Sequence, residues 1–273
     1  MDGLVTLYEY DAIGNLTKTT RSNGTVEERT YNASGLLTRI EDKTSSGEII
    51  NEYIYTYDER GNITSVTAYD NGETGAIETA KLTSAEMTYD ADNRLITYNG
   101  EEILYDEEGN MVYGVVNGEM TTLTYDCRNR LVTAGEWHYT YDAENNRIST
   151  GNNKYEETYI VDTVSQSLSR VLTTTRYNKT QGSITGVTVT TYIFGNGLEY
   201  QKDNTTGKHL YYHYNNIGST TKLTNQNGEI VEEYTYGAYG ELLSGDTEAT
   251  PYLYNGRYGV STEKNRVKIL SVK

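Results

Sequence analysis

Short runs of this chain alternate large and polar residues with a period of two, and turn signals interrupt them at short intervals. In each run a large residue is followed, usually through a Thr, by a Tyr, as in Tyr8-Glu9-Tyr10, Tyr55-Thr56-Tyr57, Leu123-Thr124-Tyr125, Tyr139-Thr140-Tyr141 and Tyr234-Thr235-Tyr236. Alternation of aromatic and β-branched residues reads as strand, with a Tyr face and a Thr face. Nothing sustains a helical period. Directly after each run stands a turn: Tyr, Asp or Asn, two variable residues, then Gly or Asn. It starts at Tyr10, Tyr31, Tyr57, Tyr89, Tyr105, Tyr125 and Tyr141, with looser copies at Tyr214 and Tyr236. An Asp or Asn side chain bonds the backbone two residues on, and Gly or Asn tolerates positive φ. The structural turn residues are therefore Asp11, Gly14, Gly35, Asp58, Gly61, Asp90, Asn93, Asp106, Gly109, Asp126, Asn129, Asp142 and Asn145.

A second set of turns alternates with the first. Asn23-Gly24, Asn71-Gly72, Asn99-Gly100, Asn117-Gly118 and Asn227-Gly228 are Asn-Gly hairpin signals, and Ser46-Gly47 and Ala134-Gly135 hold similar places. Two turn classes in alternation predict an all-β fold, an antiparallel hairpin meander. Residues 1–150 carry the regular repeat and residues 151–260 continue the sheet, with strands over 155–172 and 187–194. Residues 261–273 form a divergent tail. The expectation is one curved, open sheet with its Tyr-rich face inside and with exposed first and last strands, hence a chain that self-associates. Glu27, Glu28, Glu232 and Glu233 are the charges expected to blunt those edges.

Composition narrows the classes. The chain has 273 residues, a formal charge of −16, 28 Tyr, one Pro and one Cys. One Cys excludes an intramolecular disulfide framework. The acidic balance argues against nucleic acid or anionic lipid as the main partner, and no apolar run is long enough to span a membrane. So many aromatic residues argue against disorder.

Candidate chemistry is sparse. The turn Asp residues lie one per turn, without the spacing of an EF-hand loop, and read as caps. The acidic turn Asp70-Asn71-Gly72-Glu73 reads the same way. His138, His209 and His213 read as sheet-surface histidines, and Cys127 as an inert exposed thiol, since no base or nucleophile accompanies them. No catalytic residue, cofactor or metal is expected. The Tyr face carries two readings side by side: cross-strand packing, or a lining for a cavity or ligand by Tyr8, Tyr10, Tyr55, Tyr57, Tyr139, Tyr141, Tyr212, Tyr214, Tyr234 and Tyr236.

The repeats resemble those of the Rhs/YD-repeat family. The stretches YIFGNGLEY (192–200), YHYNNIGSTTKLT (212–224), NGEIVEEYTYGAYGELL (227–243) and YLYNGRYG (252–259) resemble the Rhs repeat-associated core domain. The resemblance implies a β-sheet ribbon that spirals into a hollow shell. In bacterial members the shell encloses a C-terminal toxin; animal teneurins carry a related extracellular shell. It implies as partners a toxin cargo or the remainder of the shell, and a secreted or cell-surface location. The alternative it implies is an extracellular carbohydrate-binding or adhesion module. Toxin-bearing members carry Asp-Pro motifs that support self-cleavage. This sequence has no Asp-Pro pair, runs RVKILSVK after Asn265, and shows neither toxin domain, N-terminal plug nor signal. The expectation is therefore a truncated or degenerate shell segment that does not cleave itself.

Overall fold

The computed structural model describes residues 3–70, 73–76, 86–116, 119–164, 170–237 and 240–262. Among these residues the regular structure is strand, apart from one 3-10 turn at Gly256–Tyr258. Every strand pairing described is antiparallel and joins strands consecutive in sequence. The chain divides into two compact units, residues 1–80 with 193–202 and 207–261, and residues 81–192 with 203–206 and 262–273.

The first unit begins with a seven-stranded sheet in sequence order: β1 (Leu7–Tyr10), β2 (Leu16–Thr20), β3 (Val26–Tyr31), β4 (Leu37–Lys43), β5 (Ile49–Tyr57), β6 (Ile63–Asp70) and β7 (Glu73–Ala76). The second unit holds the small sheet β8 (Met87–Tyr89), β9 (Leu95–Tyr98) and β10 (Glu101–Glu102). It continues with β11 (Leu104–Tyr105), β12 (Met111–Val116), β13 (Glu119–Tyr125), β14 (Leu131–Ala134), β15 (Trp137–Tyr141) and β16 (Arg147–Gly151). Three longer strands follow: β17 (Tyr155–Asp162), β18 (Arg170–Thr180) and β19 (Ser183–Gly195). The chain then returns to the first unit with β20 (Gly197–Asp203), β21 (His209–Tyr214), β22 (Thr220–Thr224) and β23 (Ile230–Glu233), and with the hairpin β24 (Thr235–Tyr236) and β25 (Leu242–Ser244).

The expectation of one continuous open sheet needs correcting. In the first unit the C-terminal strands meet the N-terminal sheet, and contacts run between residues some 160–200 apart in sequence. Tyr8 donates to Glu199, Asn51 to Thr221 and Asn23 to Thr224. The Tyr-rich face there is therefore covered. Ile40, Ile50, Tyr55, Leu198, Tyr212 and Leu223 are among its most buried side chains, all within a few per cent of fully buried. In the second unit Leu123, Ala134 and Tyr139 form a smaller core, flanked by Met111, Leu131 and Trp137.

The turns follow the chemistry of the repeat. In the copy at Tyr57 the Asp58 N–H donates to Asn62 O (2.9 Å) and the Gly61 N–H to Asp58 O (3.0 Å), with Gly61 at φ 84°. Gly14, Gly35, Asn93, Gly109, Asn129 and Asn145 also have positive φ. At all nine copies the pairing register shifts at the motif Tyr, which lies opposite the residue six positions later: Tyr10 with Leu16, Tyr125 with Leu131, Tyr236 with Leu242. The αL residue is thus the extra residue of a bulged hairpin. The second turn class is mostly the same device. The Asn227-Gly228 turn is capped by Asn225, whose Oδ1 accepts from the N–H groups of Asn227 and Glu229. Asn99-Gly100 differs, with both residues at positive φ, as a two-residue turn demands. Asn71-Gly72 and Asn117-Gly118 lie outside the described residues.

Candidate functional site

Three arrangements carry the chemistry of this chain: a cap in each turn, a tie between repeats, and a buried polar seam in the first unit. In the cap, Asp126 Oδ1 accepts from the N–H groups of Arg128 (2.9 Å) and Arg130 (3.1 Å), while Oδ2 accepts from Arg130 Nε (2.7 Å). Asp58 and Asp142 are held the same way by Asn62 and Asn146. The Arg130 side chain, with the backbone donors, holds the Asp126 carboxyl at about 2, and Asn62 and Asn146 lower Asp58 and Asp142. Asp11, Asp90 and Asp106 cap their turns likewise. Each carboxylate has its oxygens committed to its own turn. Among the described residues no group of three or more His, Cys, Asp or Glu side chains is placed to hold a metal ion. The Asp70–Glu73 turn has its central residues outside the described set.

The tie is made by the motif tyrosines. Tyr31 donates its hydroxyl to Leu16 O, Tyr57 to Leu37 O, Tyr105 to Leu95 O, Tyr125 to Met111 O and Tyr141 to Leu131 O. Each acceptor is the residue six positions after the preceding motif Tyr. Tyr236 reaches Thr220 O by the same rule, and Tyr214 reaches Leu198 O. Arg94 and Arg130 lie over the rings of Tyr105 and Tyr141, 4.6 and 4.9 Å from their centroids, so the residue after the αL position of one turn covers the next Tyr. Turns also bond to one another where the αL residue is Asn: Asn110 donates to Asn129 Oδ1 and Arg130 to Asn145 Oδ1, both at 3.2 Å.

The residue two before the motif Tyr is core in several copies, although Met87 is 44% exposed. Tyr55, Tyr139, Tyr212 and Tyr234 are 0–3% exposed. The Tyr55 hydroxyl accepts the Asn216 N–H, Tyr234 donates to Asp246 O, and Tyr212 bonds Gln201 and Thr250. Burial raises the Tyr55 and Tyr234 hydroxyls above the usual phenol range. Of the ten tyrosines offered as a lining, Tyr55 and Tyr57 share a groove of about 500 Å³. A second groove, of about 980 Å³, is lined by Leu104, Tyr113, Tyr125 and the carboxylates Asp106 and Asp126, and includes the exposed Cys127. Tyr10 stands apart, 54% exposed.

The seam is the arrangement sequence reasoning missed. Arg21, Glu27, Asp42 and His213 are each at most 4% exposed. Arg21 bonds Asp42 Oδ1 (3.2 Å) and Glu27 Oε2 (3.1 Å), and Arg29 Nε donates to Glu27 Oε1 (2.6 Å). His213 Nδ1 lies 3.1 Å from Asp42 Oδ1, and its Nε2 lies 2.9 Å from Thr224 Oγ1. Burial alone would raise Glu27; the Arg29 and Arg21 charges overcome it and hold it well below the usual carboxylate range. The order carboxylate, imidazole, hydroxyl resembles a nucleophile relay, but Thr224 is fully buried, so no substrate reaches it. The His213–Thr224 bond joins β21 to β22, with the ring set against Asp42 of β4. Three sequence expectations are thereby corrected. His213 and His209 are buried, at 0% and 7% exposure, and are not sheet-surface residues; Glu27 serves the seam and blunts no edge. His138 remains partly exposed, 2.8 Å from Glu156. The signal for the seam was weak because its partners come from strands about 170 residues apart.

The comparisons with known proteins fit this construction. The RHS Repeat family profile matches residues 1–26 and 31–74. The tRNA3(Ser)-specific nuclease WapA of Bacillus spizizenii and the tRNA nuclease WapA of Bacillus subtilis are each 28% identical over 267 residues, 94% of this chain. The chain spans 8% of the length of those relatives. Among solved structures, the TcdB2-TccC3-Cdc42 crystal structure matches 94% of this chain and 17% of its own, at 14% identity and a TM-score of 0.62. The Photorhabdus luminescens Tc holotoxin pore matches 96% of this chain and 17% of its own, at 14% identity and a TM-score of 0.53. The fold is an all-β antiparallel ribbon like those structures. Over residues 1–26 and 31–74 the chain is similar to the RHS Repeat family.

Proposed function

We propose that this segment is wall in a secreted or cell-surface shell that encloses a toxin, and that its work is mechanical. The observation that carries the reading is the Tyr-to-carbonyl tie, which fixes each repeat to its predecessor and makes a hairpin series into a ribbon. The likeness of fold to complexes containing TccC3 supports it. The names of the two curated relatives put a tRNA nuclease activity in polypeptides that also contain a stretch like this one. In this reading the nuclease is the cargo and the wall does not cut RNA, in keeping with a charge of −16 that repels a polyanion. Of the tyrosines a sugar platform would present, Tyr55, Tyr139, Tyr212 and Tyr234 are engaged instead in the cores.

Protease protection of the full-length gene product tests the proposal. The region C-terminal to this segment should resist a protease that digests the same region expressed alone, and should become sensitive when the ribbon is unfolded by denaturant. Equal digestion in both settings would overturn the enclosing role.

A further inference from the structure

In two repeats of the second unit a guanidinium of the chain itself lies on the next motif ring. Arg94 and Arg130 each follow the αL residue of a turn, and each donates Nε to the Asp that caps that turn, at 3.0 and 2.7 Å. Each then lies over the next motif tyrosine, Tyr105 and Tyr141. Arg130 also donates to Asp142 O, in the next turn, at 2.9 Å. The repeat between these two departs from the pattern. Its residue after the αL position is Asn110, whose side chain is too short to cover the next ring. Asn110 Nδ2 bonds Asp106 Oδ2 (3.0 Å) and Asn129 Oδ1 (3.2 Å) instead. Among the described residues no cation lies over Tyr125.

Tyr125 lines the groove of about 980 Å³, and the rest of that lining suits the same kind of group. Asp106, Glu108 and Asp126 bring three carboxylates to it, and no Lys or Arg lines it. Asp106 and Asp126 cap their turns, whereas Glu108 is exposed and makes no ion pair among the described residues. Leu104 and Tyr113 add apolar surface, against which the methylene stem of a long cationic side chain packs. An aromatic face beside carboxylates attracts a planar cation. The groove of about 500 Å³ is different. Leu36 follows the αL residue there, and Arg60 stands in the lining beside Asp58 and Glu59. Tyr31 and Tyr236, which follow Asn15 and Ser219 in the repeat, line neither groove.

We propose that the groove beside Tyr125 is a receptor for an arginine of a basic partner segment. The guanidinium takes the place over the Tyr125 ring that Arg94 and Arg130 take over Tyr105 and Tyr141, with Glu108 as its counter-ion. The partner thus supplies in trans the group that the neighbouring repeats supply in cis. Arginine is specified over lysine, because a planar group stacks on the ring while its edge offers N–H groups to a carboxylate and to Asp126 O. The inference does not rest on the wall reading: a basic segment reaches such a groove whether or not the sheet encloses anything.

The test uses the whole chain and the peptide acetyl-Gly-Lys-Gly-Arg-Gly-Lys-Gly-amide, with a counterpart in which neutral citrulline replaces arginine. Titration should show saturable binding of the arginine peptide, weakening with added salt, and far weaker binding of the citrulline peptide. Binding should slow alkylation of Cys127, the single cysteine, which is exposed in the groove. Glu108→Gln should weaken binding about two- to fivefold, whereas Glu59→Gln, the same change of charge beside the other groove, should leave it unaltered. Asn110→Arg copies the neighbouring repeats and should fold, yet should abolish binding by filling the place itself. Equal affinity for the citrulline peptide, equal losses in Glu108→Gln and Glu59→Gln, or full binding by folded Asn110→Arg would overturn the inference. So would a dimer in which Cys127 is protected without peptide, because the groove would then belong to a second copy.

Discussion

At the residue scale the repeat rests on two choices, a carboxylate that caps and a residue that accepts positive φ. The structure explains why the second choice alternates between Gly and Asn. Asn129 and Asn145 accept bonds from Asn110 and Arg130 of the preceding turns, which Gly cannot do. A Cβ on Gly61, at φ 84°, would meet only the flexible Leu36 side chain, so backbone conformation and not space demands Gly there. Gly61→Val should destabilise by more than about 1 kcal/mol in denaturant unfolding. Asp126 carries a pH dependence. Its carboxyl is lowered to about 2 from an ordinary 3.8, so its contribution is complete above 3.8 and is lost as pH falls toward 2. Thermal unfolding measured from pH 5 to pH 2 should fall less steeply in Asp126→Asn than in the unaltered chain, because the amide still caps but does not titrate.

At the element scale, strands and turns were legible in the sequence because both have local causes. Alternation of Tyr and Thr sets the two faces, and the Thr face appears as hydroxyl pairs across each hairpin: Thr88 with Thr97, Thr124 with Thr133, Thr235 with Ser244. The copies at Tyr214 and Tyr236 look irregular as sequence yet form the same bulged hairpins. The tie was not legible. Its acceptor is a backbone carbonyl 10 to 20 residues earlier, and no side chain marks it. Tyr125→Phe should cost about 1 kcal/mol. Tyr214→Phe should cost more, about 1–3 kcal/mol, since its acceptor Leu198 is fully buried. Amide exchange resolved by segment checks both: protection should fall on the strand holding the acceptor as well as on the strand holding the Tyr. Loss confined to the Tyr strand would count against the tie.

At the scale of the whole molecule, N-terminal repeats and C-terminal strands share one unit, joined through a buried polar seam. Runs such as Glu27-Glu28-Arg29 and Glu41-Asp42-Lys43 carry no local mark of burial. Their inward members become core only when β20–β22 arrive, an event with no local signature. Removing one member leaves its partners buried and uncompensated. Asp42→Ala should therefore cost about 3–5 kcal/mol, read by exchange over β2–β4 and β20–β22. The fluorescence of Trp137, the single Trp and a residue of the other unit, should move less. Incubation of the purified chain should yield no defined fragment over time, since no Asp-Pro pair is present. The most direct measurement of the central claim is electron cryomicroscopy of the full-length gene product that contains this chain. The account predicts that strands β1–β25 lie in the wall of a closed shell, with each motif Tyr tied to the repeat before it and with separate density for a cargo inside. A solid β-domain without an enclosed volume, or repeats that contact one another only through side-chain packing, would contradict it.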